Sequence, residues 1–225
     1  MSIGKFIVLE GLDGSGKSTQ AALLTKNLSE VSCSKDYSSK PINCSGIPMQ
    51  KNAFSLLTAE PTKEPIGALS RRAFSGDITL SREALILILI ADRLEHLSTL
   101  ISPALERGNT IVCDRYYLSN MAYQATSSLS AISIYELNKN FHIPTPDLTI
   151  YLDIAPETAL QRIKKRRGES GIFDNLDTLR AIADNYLQSI TYLKSIGENI
   201  VSVCADEPPE QIAKHILAAT RVIAV

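Results

Sequence analysis

Short, β-branched apolar runs recur along the chain and alternate with longer mixed stretches. Lys5–Glu10, Ala53–Thr58, Thr110–Cys113, Leu148–Asp153 and Asn199–Cys204 are nearly continuous in apolar residues, the pattern of parallel strands buried on both faces. Between them, Ser18–Val31, Ser81–Arg107, Pro156–Lys165 and Phe173–Ile196 have helical length, and a last helix is expected over residues 206–225. Strands alternating with helices predict the α/β class, a parallel sheet with right-handed crossovers. In Ala84–Ala91 Leu and Ile alternate with no polar position. This run is assigned to helix because it lies inside Ser81–Arg107, interrupted only by Pro103, and strands rarely exceed about ten residues. A helix apolar on all sides is expected to be fully buried.

Two segments break the alternation. Residues 32–52 are rich in Ser, Asn, Pro and Lys and read as a surface insert. Residues 162–171 open with five cations in six positions, either a solvated helix end or a functional basic segment. There is no internal repeat, and 225 residues fit a single domain over 1–225. With 44% hydrophobic and 21% charged residues the composition is globular rather than disordered. Lys plus Arg is 23 against 24 for Asp plus Glu, so the global basic field of a nucleic-acid binder is missing. The cysteines at 33, 44, 113 and 204 form no Cys-x-x-Cys pair, which fits a reducing compartment. The N-terminus lacks signal-peptide architecture, and Ala84–Ala91 is the longest apolar run, far short of the ~20 residues a bilayer demands. The expectation is a cytoplasmic protein with no membrane or nucleic-acid partner.

Gly11-Leu12-Asp13-Gly14-Ser15-Gly16-Lys17-Ser18 matches G-x-x-x-x-G-K-[ST] between a predicted strand and a predicted helix, the context a P-loop requires. Its glycines let successive backbone N–H groups turn toward phosphate oxygens, and the helix opening at Ser18 adds its positive end. Gly11, Gly14, Ser15, Gly16, Lys17, Ser18 and Thr19 are therefore the candidate ATP-binding residues. Lys17 is the phosphate-reaching cation and Ser18 the hydroxyl offered to Mg²⁺. Asp114, at the end of the third strand, is a second candidate for the Mg²⁺ shell, and Arg115 beside it can grip another phosphate through a bidentate fork. A guanine-reading Asn-Lys-x-Asp is missing: Asn138-Lys139-Asn140-Phe141 lacks the Asp.

Taken together, Glu10–Thr19, Ala91-Asp92-Arg93, Asp114-Arg115-Tyr116 and Ser119–Gln124 form a pattern that resembles thymidylate kinase. Thr58–Pro61 with Pro65-Ile66-Gly67 looks like that family's second phosphate-side loop, and the resemblance runs from residue 5 to about 195. It implies a P-loop three-layer sandwich with a five-stranded parallel sheet, a homodimer, and transfer of the γ-phosphoryl of MgATP to dTMP. It also implies that Asp13 binds the acceptor 3′-hydroxyl and Arg115 the acceptor phosphate. Arg93 would donate to thymine O4, Ser119 and Asn120 would line the base site with Glu60, Leu89 and Gln124 around it, and Tyr123 would exclude a 2′-hydroxyl. The basic segment, about 162–172, would be a lid bringing Arg166 or Arg167 to the transferring phosphoryl, with Arg162 along the adenine. Gly14 stands where some family P-loops carry an Arg, which shifts that burden to the lid.

Two positions depart from the family. Ala59 replaces an Arg, leaving Lys63, Arg71 or Arg72 to supply that cation, and Leu89 replaces a Phe that stacks on thymine. A relative acting on dUMP, CMP or UMP, or a nucleotide-binding protein of weak activity, are the alternatives these departures leave open. His96, His142 and His215 are expected to be surface or satisfied core residues, Cys113 a small apolar one, and Tyr186 and Tyr192 helix packing.

Overall fold

A computed structural model describes residues 4–33, 54–126, 128–167 and 175–223 of the chain. Most of the 32–52 insert and residues 168–172 of the expected lid lie outside the described residues, as does the side chain of Arg167.

Five strands, β1 (Phe6–Gly11), β2 (Ser55–Ala59), β3 (Thr110–Asp114), β4 (Leu148–Asp153) and β5 (Ile200–Cys204), form one parallel sheet in the order β2-β3-β1-β4-β5. The α/β expectation and all five predicted strands are thus met. β1 and β3 are buried along their whole length, as continuous apolar runs require. β2 is not: Leu56 and Leu57 are exposed. As an edge strand it pairs only with β3 among the described residues, so its apolar sequence does not translate into two covered faces.

Register places the functional ends together. Leu9 of β1 pairs with Asp114 of β3, and Asp114 pairs with Ala59 of β2. The loops that follow these three strands therefore leave the same edge of the sheet, where α/β folds bind ligands.

Helix α1 (Lys17–Cys33) follows the P-loop, and α2 (Pro65–Phe74) packs on α3 (Arg82–His96). Ser81 caps α3, its hydroxyl accepting from Ala84 N at 3.2 Å. The Ala84–Ala91 run is helical as expected, but not fully buried. Ile86 and Ile90 face the core and Leu89 is buried, whereas Leu87 is 54% exposed. The expected single helix to Arg107 is also interrupted. α3 passes into a π-turn at Leu97–Ile101 before α4 (Ser102–Glu106) resumes. Pro103 near the start of α4 has no N–H to close a bond to the preceding turn. Thr99 Oγ1 donates to Glu95 O at 2.6 Å within that turn.

Three helices had no counterpart in the hydrophobic pattern: α2, α5 (Tyr117–Gln124) and α6 (Ala131–Asn140). The remaining helices, α7 (Pro156–Arg167), α8 (Leu176–Ser195) and α9 (Pro209–Thr220), are close to the predicted segments. His142 ends α6 with φ 57° and is exposed, and His215 pairs with Glu207 at the surface.

Candidate active site

The P-loop leaves β1 at Gly11 and enters α1 at Lys17. Gly14 has φ +83°, and a Cβ there would lie 2.5 Å from Ala159 O of α7. The loop therefore rests on that helix with no room for a side chain. Lys17 is buried and donates to Leu12 O at 2.7 Å. Burial, helped by the nearby Arg115 charge, pushes its pKa down to about 8.

Next to the loop, Ser18 Oγ donates to Asp114 Oδ2 at 2.5 Å, while the buried Asp114 Oδ1 has no hydrogen-bond partner. A hydroxyl and a carboxylate side by side, with one carboxylate oxygen uncommitted, are the oxygen donors Mg²⁺ prefers. These residues fit the ion that a P-loop implies.

Arg115 follows β3 in a left-handed conformation, φ 74°, uncommon for a long side chain and typical of sites where surrounding bonds over-determine the backbone. Its N–H donates to Leu9 O at 2.9 Å. Its Nη2 donates to Asp13 Oδ1 at 2.8 Å and to the Tyr123 hydroxyl at 3.3 Å. Its Nη1 donates to Ser119 Oγ at 2.8 Å, and the guanidinium lies over the Tyr123 ring at 4.9 Å. Burial opposes its charge, but Tyr123, Asp13, Tyr186 and Asp114 outweigh that and raise its pKa well above the ordinary value. Tyr123 OH also accepts from Asp13 N at 3.0 Å.

A second arginine sits deeper. Arg93 on α3 donates from Nε to Glu60 Oε2 at 2.8 Å and from Nη1 to Asn138 Oδ1 at 2.6 Å, over the Tyr116 ring. Its Nη2 lies 2.8 Å from the same Glu60 oxygen. His96 Nδ1 meets the other Glu60 oxygen at 3.1 Å, and its Nε2 meets Thr58 Oγ1 at 2.7 Å. His96 is thus the satisfied core histidine expected. Asp92 binds Thr62 N and Thr62 Oγ1, fixing the loop after the cis Glu60–Pro61 bond.

One cavity of about 520 Å³ joins these groups. Asp13, Ser18, Glu60, Leu89, Arg93, Asp114, Arg115, Ser119, Asn120, Tyr123 and Gln124 all line it. So do Arg71 and Phe74 of α2 and the Tyr116 side chain. Of the cations weighed as replacements for an Arg at Ala59, Arg71 alone is among the lining residues. Its guanidinium is tied to Thr62 O at 3.0 Å and to Pro61 O.

Among the described residues, none of the basic segment lines this cavity. Arg162 turns to Ala205 O at 2.9 Å, beyond β5, and Arg166 is exposed. Ser119 differs from expectation in orientation, since its hydroxyl points to Glu10 at 2.5 Å. Sequence reasoning missed Glu10 and the functional surroundings of Tyr186, whose hydroxyl reaches Glu10 Oε2 at 3.1 Å from α8. It also missed Phe74. Glu10 opens the Glu10–Thr19 motif but carried no role there, and Tyr186 belongs to no local pattern that marks it.

A parallel sheet carrying a P-loop, with a carboxylate–hydroxyl pair beside it and Arg115 lining the same cavity, fits a P-loop phosphotransferase. The model of the thymidylate kinase family matches residues 47–216. A probable thymidylate kinase of Pyrococcus horikoshii is 38% identical over 191 residues, covering 82% of this chain and 82% of its own length. One of Pyrococcus abyssi is 34% identical over 223 residues, covering 97% and 96%. A thymidylate kinase of Leptospira interrogans is 36% identical over 212 residues, covering 94% and 91%. The chain belongs to the thymidylate kinase family, and its activity is that of an ATP-dependent nucleoside-monophosphate kinase.

Proposed function

We propose that the chain works as a single P-loop domain that phosphorylates dTMP to dTDP with MgATP, in the cytoplasm and as a homodimer. The reading rests above all on Arg115, whose guanidinium opens into the same cavity as Ser18 and Asp114 and is bracketed by Asp13 and Tyr123.

In this reading the P-loop amides and Lys17 bind the ATP phosphates, and Ser18 and Asp114 hold Mg²⁺. The ion, when bound, neutralises charge on the transferring group. Arg115 orients the acceptor phosphate in line, which is most of what phosphoryl transfer asks of a protein. Asp13 takes the 3′-hydroxyl and Tyr123 walls the sugar. Arg166 or Arg167 closes from the lid.

Base choice is supported by hydrogen-bond complementarity. Arg93 is a permanent donor, and Asn120 Oδ1 is a buried acceptor without a partner. A donor and an acceptor lining one cavity match the C4=O and N3–H edge of thymine or uracil. Cytosine presents the opposite pair, and a mismatch leaves buried groups unpaired at roughly 1–3 kcal/mol each. For the dimer, the support is exposed leucine on two helices packed together, Leu69 of α2 and Leu87 of α3.

The test is incubation with MgATP and a panel of nucleoside monophosphates, with product separation. dTDP should form fastest and dCDP hardly at all. Failure to phosphorylate dTMP while another acceptor turns over would replace this reading.

A further inference from the structure

Glu10 is the one acidic residue of β1 and is fully buried, with no ion pair to a cation among the described residues. Its oxygens nevertheless collect four donors. Oε1 accepts from Tyr116 N at 2.8 Å and Ser119 N at 3.1 Å. Oε2 accepts from Ser119 Oγ at 2.5 Å and Tyr186 OH at 3.1 Å. Burying a carboxylate costs several kcal/mol unless hydrogen bonds compensate, so four donors converging here mark a built arrangement.

Proton bookkeeping gives the arrangement a direction. An ionised carboxylate only accepts, a guanidinium only donates, and a hydroxyl has one proton. Ser119 Oγ lies between Glu10 Oε2 at 2.5 Å and Arg115 Nη1 at 2.8 Å. Its proton therefore goes to Glu10 and its lone pair to Arg115. Tyr186 OH sits alongside, 3.4 Å from Arg115 Nη1. Glu10 thus holds one arm of the guanidinium through the Ser119 hydroxyl, with the Tyr186 hydroxyl as a longer second bridge. Through Tyr116 N and Ser119 N it also holds the backbone after Arg115, the residue at φ 74°. The other arm goes to Asp13, whose side chain is 31% exposed on the cavity side.

We infer that Glu10 is a positioning residue for the acceptor phosphate: it fixes Arg115 from behind through Ser119, so that the guanidinium keeps its aim while Asp13 turns to the substrate. This rests on the acceptor role given to Arg115 above.

Three variants test it: Glu10→Gln, Ser119→Ala and Arg115→Lys. Steady-state KM is measured for dTMP and for ATP, with thermal melting. Ser119→Ala removes the shorter hydroxyl bridge and leaves both backbone donors to Glu10 in place, so it stands in if Glu10→Gln fails to fold. Both should raise the dTMP KM about tenfold or more and leave the ATP KM within about twofold. The double variant should be no worse than its worse parent, because the two residues act as one chain. If Arg115→Lys raises the dTMP KM but neither of the others does, even with a lowered melting temperature, Glu10 is a structural cap and the inference is wrong. An unchanged dTMP KM in Arg115→Lys removes the acceptor role itself, and this inference with it.

Discussion

The two ends of the cavity each hold an arginine, a carboxylate and a tyrosine ring, yet they are built to opposite purposes. At the proposed base end the Arg93–Glu60 pair has side-chain exposures of 2% and 4%, and it is held by Asn138 and by His96, which Thr58 bonds in turn. At the phosphate end the Arg115–Asp13 pair is 18% and 31% exposed, on a backbone held in the left-handed region. A sealed pair keeps a fixed pattern of donors, which is what reading a neutral base edge needs. A pair open to the cleft can trade its carboxylate for an incoming phosphate. In the proposed reading both arginines bind substrate, Arg93 from a rigid setting closed to water and Arg115 from one that admits it.

Breaking the sealed pair should cost stability first. Glu60→Ala leaves Arg93 buried without its counter-ion, a loss of about 3–5 kcal/mol, whereas Asp13→Ala should cost under about 1 kcal/mol because that pair is partly solvated. Urea unfolding of both variants checks the contrast, and equal losses would erase it.

Lys17→Ala should act the other way, on rate and not on stability. Removing charge stabilisation of the transferring group costs about 3–4 kcal/mol, or 10²–10³ in kcat. The melting temperature of the nucleotide-free protein should hold, since a buried and discharged-prone cation is being removed. Near-normal turnover would exclude the P-loop from the mechanism.

The base end can be sharpened through Phe74, which lines the cavity together with Leu89. If its ring supplies the aromatic surface that Leu89 does not, Phe74→Ala should raise the dTMP KM by up to roughly tenfold with kcat nearly unchanged, since stacking binds ground and transition states alike. An unaltered KM would return Phe74 to packing.

The smallest effect is in protons. In the free protein Lys17 has a pKa of about 8 against an ordinary 10.5. The folded state then holds fewer protons than the unfolded one between those values, so its stability rises as pH rises through that window. Nucleotide phosphates restore the charge. ATP binding at pH 8 should take up roughly half a proton, measured calorimetrically in buffers of different ionisation enthalpy. Lys17→Met should abolish the uptake.

Contiguity decided how much of this was legible in the sequence. The strands, the P-loop and Asp114-Arg115 are local patterns, and they were read with the right positions. α5 was not, because its N-terminus carries no side-chain cap of its own. The acceptor for Tyr116 N and Ser119 N is Glu10, more than 100 residues earlier. α2 announces itself only by Pro65 at its start, with no capping side chain at Glu64. The base end is equally dispersed: Thr58, Glu60, Arg93, His96 and Asn138 meet only once β2, α3 and α6 are packed. A motif can record which residues bind a phosphate, but not which distant groups aim them.

Gly14 carries a consequence for motion. With Ala159 O only 2.5 Å from where its Cβ would stand, and Ile163 Cγ1 at 3.2 Å, the phosphate loop and the stem of the basic helix α7 touch backbone to backbone. They cannot move independently at that point. A shift of the loop at Gly14 would therefore meet the helix that bears Arg162 to Arg167 directly. An arginine grafted at position 14 would act as a wedge, prising helix from loop before it could reach a phosphate.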